Sequence, residues 1–218
     1  MFTLPDPAVL IPLFFLIGVL PIGLVMVTSY TKIVVVLSLL KNALGLQQVP
    51  PAIVTNGLAL VLSWYVMYPV GMQIMGEIET AQQTTKGGAT MSMMQIVEKG
   101  KEPLRAFLDK HAKAHERAFF LDASRRMMGD KVADTIDVRD FVVLVPAFVV
   151  SELTEAFLIG VVVALPFLVI DLVVANVLMA LGMQMMSPTM LSLPIKLLLF
   201  VMLDGWSRLA HALVLSYR

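Results

Sequence analysis

The chain has 218 residues, of which 58% are hydrophobic and 15% charged, with 16 acidic and 16 basic side chains. A typical soluble domain has about 25% charged residues, so this composition argues against an ordinary soluble globule and excludes a disordered chain. The balanced charge gives no indication of nucleic-acid binding, and the absence of cysteine excludes disulfides, thiol catalysis and cysteine zinc sites.

The charged residues are concentrated in the middle of the chain. Residues 76–140 hold 22 of the 32, with eleven of each sign. This distribution predicts three parts: an N-terminal apolar hairpin at 1–75, a hydrophilic, mainly helical insert at 76–140, and apolar helices at 141–218. Residues 98–120 repeat apolar side chains at helical spacing, and residues 84–89 are typical of a loop.

Two uncharged stretches of the first part, 10–27 and 53–70, are long enough to approach the span of a membrane helix. Lys32, Lys41 and the Pro50-Pro51 pair lie between them and predict a basic stretch and a turn. A basic loop favours the cytoplasmic side, which would place the insert on the outer side of the membrane. No positive segment precedes residue 10, so a cleaved signal peptide is not expected.

In the last part, prolines at 146, 166, 188 and 194 predict separate helices at 147–165, 167–186 and 195–215. Charges inside such apolar helices are costly unless they find partners. Asp204 and Arg208 have the spacing of a helical pair. The remaining charged residues are three acidic and one basic: Glu152, Glu155, Asp171 and Lys196. They could form an ion path, bridge neighbouring subunits, or lie at the membrane interface.

Three methionines, Met183, Met185 and Met186, lie between Gly182 and Pro188, which predicts a turn between two helices. Methionine is flexible and polarizable, so a ring of such turns, one per subunit, could close a pore with deformable side chains. The alternative is that these side chains fill gaps in an apolar core.

No nucleotide-binding, dinucleotide-binding or hydrolase motif occurs, so an enzyme is not expected. His111 and His115 are four residues apart and could begin a zinc site in a membrane-bound hydrolase. No third ligand is evident, and a solvated helix face is the expected environment. The intramembrane carboxylates leave a second alternative, a proton- or ion-coupled carrier of small solutes, although the paired repeats of such carriers are absent.

Four stretches, read in order, resemble the SctR/FliP family of type III secretion and flagellar export proteins. They are residues 28–51, 146–157, 170–188 and 193–206, and together they cover both apolar blocks. Residues 102–120 and 204–217 are more similar to the virulence (injectisome) branch than to the flagellar branch.

The resemblance implies an all-α protein that assembles as a pentamer with SctS-like and SctT-like subunits, near SctU-like, SctV-like and basal-body ring proteins. The assembly would be the gated entrance conduit for unfolded substrates, in the bacterial inner membrane within the basal body and exposed on the periplasmic side. No cofactor is implied.

The same resemblance assigns roles to residues. Met183, Met185 and Met186 correspond to a methionine gasket, and Glu152, Asp171 and Lys196 to charges that bridge neighbouring subunits. Two positions depart from the family pattern. Relatives often carry a basic residue in place of Glu155, and Gln184 interrupts the methionine run where some relatives have another methionine.

Overall fold

The computed structural model describes residues 18, 21–23, 25–46, 49–84, 93–128, 135–183 and 185–218. Over these residues the fold is all-α, as predicted, with no strand. The named helices are α1 (Tyr30–Ala43), α2 (Ala52–Thr84), α3 (Met93–His111), α4 (Ala114–Met128), α5 (Phe141–Ala180), α6 (Pro188–Met202) and α7 (Gly205–Leu215).

The described residues of the N-terminal part include a helix, α1, that the sequence does not predict. Lys32 and Lys41, expected in a basic loop, both lie in α1, and Lys32 is completely buried. A lysine can occupy such a position when a carboxylate from elsewhere in the fold neutralises it, which a local pattern does not reveal. The expected helix at 53–70 is confirmed as part of α2, which continues without a break across residue 76. Most of the stretch 10–27 lies outside the described residues.

Of the four prolines expected to divide the last part, Pro188 does begin a helix, but the other three lie inside helices. α5 continues for 40 residues through Pro146 and Pro166, and α6 contains Pro194. A proline removes one helical hydrogen bond, but opening an apolar helix would expose several backbone groups without partners, so continuing the helix is favoured. The chain breaks instead at Leu203 and Asp204, and Asp204 adopts a left-handed conformation with φ 51°.

The insert folds onto the apolar helices through two shorter helices. The predicted helix at 98–120 is interrupted at Ala112 and Lys113, which separate α3 from α4. The apolar side of α3, with Phe107 and Leu108, is buried against α5. The expected loop at 84–89 lies outside the described residues, except for Thr84, the last residue of α2.

The buried core has two centres. The first surrounds α1, whose Ile33, Val36 and Leu40 are enclosed by α2, α5 and the last two helices. Gly160 allows α5 to approach α1 closely, because a Cβ atom at this position would lie 2.2 Å from Leu39 Cδ1. The second centre joins the insert to the start of α5 and contains Phe107, Leu108, Leu144, Phe148 and Tyr217.

Much of the apolar surface is left uncovered by the chain itself. Within the described ranges, α5 and the Ala52–Thr80 part of α2 are long and apolar enough to cross a membrane. The α6–α7 pair, bent by 62°, qualifies as a third candidate if it is taken as one span. The outward side chains of these helices include Trp64, Tyr68, Leu158, Leu172 and Leu198, all more than half exposed.

Candidate functional site

A buried lysine neutralises the first group of carboxylates on α5. Lys32 Nζ lies 2.8 Å from Glu152 Oε1 and 2.8 Å from Glu155 Oε2. Lys32 and Glu152 are both 0% exposed, whereas the Glu155 side chain is 38% exposed. Glu152 and Glu155 thus share one helix face, as their spacing predicts, and both use it to contact α1.

The segment after α7 completes this cluster. The Tyr217 hydroxyl donates a hydrogen bond to Glu152 Oε2, and the Lys32 ammonium lies 4.2 Å from the centre of the Tyr217 ring. Burial and the neighbouring Glu152 carboxylate raise the pKa of Tyr217, so this hydroxyl remains a donor at any physiological pH. Lys32, Glu152, Glu155 and Tyr217 are called the Lys32 cluster below.

The insert meets the Lys32 cluster at the α3–α4 break. The Lys113 amide donates to Ser151 Oγ at 2.9 Å, and the Lys113 ammonium lies 3.9 Å from Glu155 Oε1. His111 packs its ring 5.1 Å from that of Tyr217. Burial, together with the nearby ammonium groups of Lys32 and Lys110, lowers the pKa of His111 to about 4, so the ring is neutral at pH 7.

The two histidines do not share one solvated face as predicted. His115 is exposed, with Nε2 3.1 Å from Glu116 Oε1, but His111 is partly buried on the other side of the helix break. The break at Ala112 and Lys113 removes the four-residue helical register that both the zinc hypothesis and the shared face require. No group of three or more potential metal ligands occurs in the part of the chain that the structure describes.

A second ion pair lies further along α5. Lys196 Nζ of α6 is 2.6 Å from Asp171 Oδ2 and donates to the Ala43 carbonyl at 3.1 Å, where α1 ends. The Lys196 side chain is only 6% exposed, but that of Asp171 is 39% exposed. Asp171 Oδ1 is itself buried and accepts no hydrogen bond from the described residues. The pair therefore ties α1, α5 and α6 together and leaves one acceptor free.

These contacts change the charge count made from the sequence. Three acidic residues and one lysine seemed unbalanced because Lys32 was assigned to a loop; its position in α1 supplies the second cation. The predicted pairing of Asp204 with Arg208 is wrong, since the two form no ion pair in the structure. The Arg208 amide donates to the Asp204 carbonyl at 3.0 Å, so the two residues are one turn apart, but Asp204 is the left-handed residue that precedes α7 and the two side chains do not pair.

The methionines lie on a turn, as predicted, between the end of α5 and Pro188. Gly182 has φ +72°, and the Met183 amide donates to the Leu178 carbonyl at 2.9 Å, which reverses the chain after α5. Met185 is fully exposed, and Met183 and Met186 are 41% and 40% exposed. Within a single chain these side chains therefore do not fill a core. Gln184 lies outside the described residues.

Lys32 and Tyr217 were missed by sequence reasoning as partners of the carboxylates. Lys32 carried a usable signal, because it is the only charged residue between Asp6 and Lys41. Tyr217 carried no such signal, because no sequence pattern relates a tyrosine to a glutamate 65 residues earlier in the chain.

Comparison with known proteins agrees with the resemblance. The FliP family profile matches residues 13–213. "Yop proteins translocation protein R" of Yersinia pestis is 46% identical over 100% of this chain and 99% of its own length. "Hypersensitivity response secretion protein HrcR" of Ralstonia nicotianae is 48% identical over 93% of each chain.

The flagellar relative matches less completely. "Flagellar biosynthetic protein FliP" of Pectobacterium carotovorum is 44% identical over 91% of this chain but only 74% of its own length. The near end-to-end match to the translocation and secretion proteins confirms the predicted virulence-type branch. With the family profile spanning almost the whole sequence and relatives close to half identical, the chain belongs to the FliP family.

Proposed function

We propose that this chain, a subunit of a type III secretion export apparatus, lines a gated entrance conduit through which unfolded proteins cross the bacterial inner membrane. The observation that carries the proposal is the methionine turn, where Met183, Met185 and Met186 stand exposed at the end of a 40-residue apolar helix. The relatives' names, which refer to translocation and secretion, support the same role.

The mechanism is passive. Methionine side chains are unbranched and polarizable, so a ring of these turns can close the conduit and then adapt to a passing polypeptide of varied sequence. Closing an apolar constriction excludes water and therefore ions. The role requires no catalytic residue or cofactor in this chain, and the energy for export would come from elsewhere.

The uncovered apolar helices support an assembly of several copies. We propose a pentamer that binds SctS-like and SctT-like subunits and lies near SctU-like, SctV-like and basal-body ring proteins. The exposed faces of α2, α5 and α6 provide apolar surface for these neighbours and for lipid. The hydrophilic insert would then lie on the periplasmic side of the inner membrane.

The two groups of carboxylates support different roles in that assembly. Glu152 is enclosed by Lys32 and Tyr217 of its own chain, which leaves it little access to a neighbour. The Asp171 side chain is 39% exposed, so a neighbouring chain can reach it. We therefore assign the contact between subunits to Asp171 with Lys196, and a role within the chain to Glu152.

The carrier alternative loses the observation that motivated it. It rested on carboxylates without partners in apolar helices, but Lys32 and Lys196 neutralise Glu152 and Asp171 within the chain. Paired carboxylates of this kind do not need to exchange protons or ions to be stable in the fold.

The test is an ion-leak measurement on the assembled complex in liposomes. Replacing Met183, Met185 and Met186 together by alanine removes the flexible side chains and should raise leakage at least tenfold. The matched control replaces Met72, Met75 and Met127, which are exposed methionines of α2 and α4, by alanine and should leave leakage unchanged. Equal leakage in the turn variant and the wild type, with the complex intact, would contradict the gasket role.

A further inference from the structure

We propose that Tyr217 is a latch that holds the insert against the apolar helices, and that releasing it lets α3 undock while α1 and its surrounding helices stay folded. This conformational device goes beyond the proposed function. It does not depend on whether the methionine turn closes a conduit.

The position of Tyr217 connects three parts of the chain. Its hydroxyl donates to Glu152 on α5, whose carboxylate is paired with Lys32 on α1. Its ring stacks on Phe107 of α3, with centroids 6.2 Å apart and planes 15° apart, and meets the His111 ring edge-on. One buried side chain thus has its polar end on the apolar helices and its ring on the insert.

Other residues also hold α3: Leu108 and Ala112 are buried in the same cluster, and α3 packs against α2 as well as α5. Phe107 also meets Phe148 of α5 at 5.7 Å, and the Arg105 guanidinium lies 5.1 Å from the centre of the Phe141 ring. The amide of Lys113 adds one hydrogen bond to Ser151. Phe107 and His111 contact the Tyr217 ring directly, so loosening that ring weakens the packing of the C-terminal half of α3.

Tyr217 also touches the start of α1 through Lys32 and the Ser29 carbonyl, but the apolar core around α1 is separate from the insert. Ile33, Val36 and Leu40 are buried in a separate cluster that contains no residue of the insert. Local opening follows cooperative units of packing, so the insert can open while the separate cluster around α1 stays closed. This separation is what distinguishes a latch from an ordinary core residue.

The chain offers graded variants. Tyr217→Phe keeps the ring contacts with α3 and removes only the hydroxyl, which donates to Glu152 and lies 3.5 Å from the Ser29 carbonyl, whereas Tyr217→Ala removes the ring as well. Ser216→Ala is a matched control, because the Ser216 hydroxyl donates only to the Leu213 carbonyl in its own turn. Phe107→Ala removes the ring contact with Tyr217 from the insert side.

The experiment is hydrogen–deuterium exchange with mass spectrometry on the full-length protein in detergent, comparing backbone amides of α3 with those of α1. We expect Tyr217→Ala and Phe107→Ala each to speed exchange in α3 at least tenfold while exchange in α1 stays within twofold. Tyr217→Phe should give an intermediate change, and Ser216→Ala none. Exchange is read without any transport assay, so failure here is separate from failure of the proposed function.

Two results would overturn the latch. Unchanged α3 exchange in Tyr217→Ala would mean that other contacts hold the insert. A parallel rise in α1 and α3, or loss of the folded protein in both Tyr217→Ala and Tyr217→Phe, would make Tyr217 a general core residue.

Discussion

Two ion pairs on α5 use the same chemistry in different surroundings. Glu152 and Asp171 are 19 residues apart, which corresponds to about 28 Å along an α-helix. Lys32 and Glu152 are both fully enclosed, and a tyrosine donates an additional hydrogen bond. The Asp171 side chain, in contrast, is 39% exposed. The comparison teaches that the degree of enclosure, rather than the presence of an ion pair, separates a contact that holds one chain together from one that can serve a neighbour.

The strongest test of this comparison is to remove the enclosed cation. Lys32→Met leaves Glu152 buried without a counter-ion, and breaking a buried pair in this way costs roughly 3–5 kcal/mol. We expect a loss of this size in the free energy of unfolding, measured by denaturant titration of the purified protein in detergent. Lys41→Met is the control, because Lys41 lies on the same helix and its ammonium donates only to the Pro50 carbonyl. Equal losses in the two variants would contradict the special status of Lys32.

The partly exposed pair of Asp171 and Lys196 should respond differently to substitution. Asp171→Asn and Glu155→Gln remove carboxylates of nearly equal side-chain exposure, 39% and 38%. We expect Glu155→Gln to lower the free energy of unfolding of the single chain by no more than about 1–2 kcal/mol. Asp171→Asn should cost more, up to about 3 kcal/mol, because it leaves the largely buried Lys196 without a counter-ion. Only Asp171→Asn should reduce the fraction of chains that assemble, measured as native mass after mild detergent extraction. If Glu155→Gln impairs assembly equally, the distinction between the two ends of α5 fails.

The smallest expected effect is the loss of stability that His111 causes at low pH, beside the Lys32 cluster. The pKa of His111 is lowered from 6.5 to about 4, so the unfolded chain binds the extra proton more readily. The contribution of His111 to the free energy of unfolding is therefore complete above pH 6.5 and is lost as the pH falls towards 4. Because the ring is only partly buried, we expect a loss on the order of 1–2 kcal/mol.

This loss is measured as the free energy of unfolding at pH 7 and pH 4.5. His111→Gln should remove this part of the difference between the two pH values. His115→Gln, at an exposed position, should retain it. The same pH dependence in both variants would show that His111 is not its source.

Sequence reasoning performed well where the pattern is local. The apolar run that becomes α2 is apparent from the lack of charge after Lys41. The methionine turn is apparent from Gly182 and Pro188, because each of these residues changes the backbone at its own position. The family resemblance added the identity and the candidate residues.

Sequence reasoning failed where distant residues decide the outcome. Lys32 and Glu152 are separated by 120 positions, and no periodic pattern relates them. Prolines at 146 and 166 were expected to end helices, but the surrounding apolar residues favour a continuous helix over exposed backbone. In each case the tertiary environment outweighed the preference of the residue itself.

The length of α5 has a consequence for the surroundings of the protein. Forty helical residues extend about 60 Å, whereas the hydrocarbon core of a bilayer is about 30 Å thick. A tilt of 40°, near the upper end for membrane helices, still leaves about 46 Å to cover. Exposed apolar side chains occur from Val142 at one end to Met179 at the other. Lipid therefore cannot cover the whole helix, and the remaining apolar length must be covered by protein.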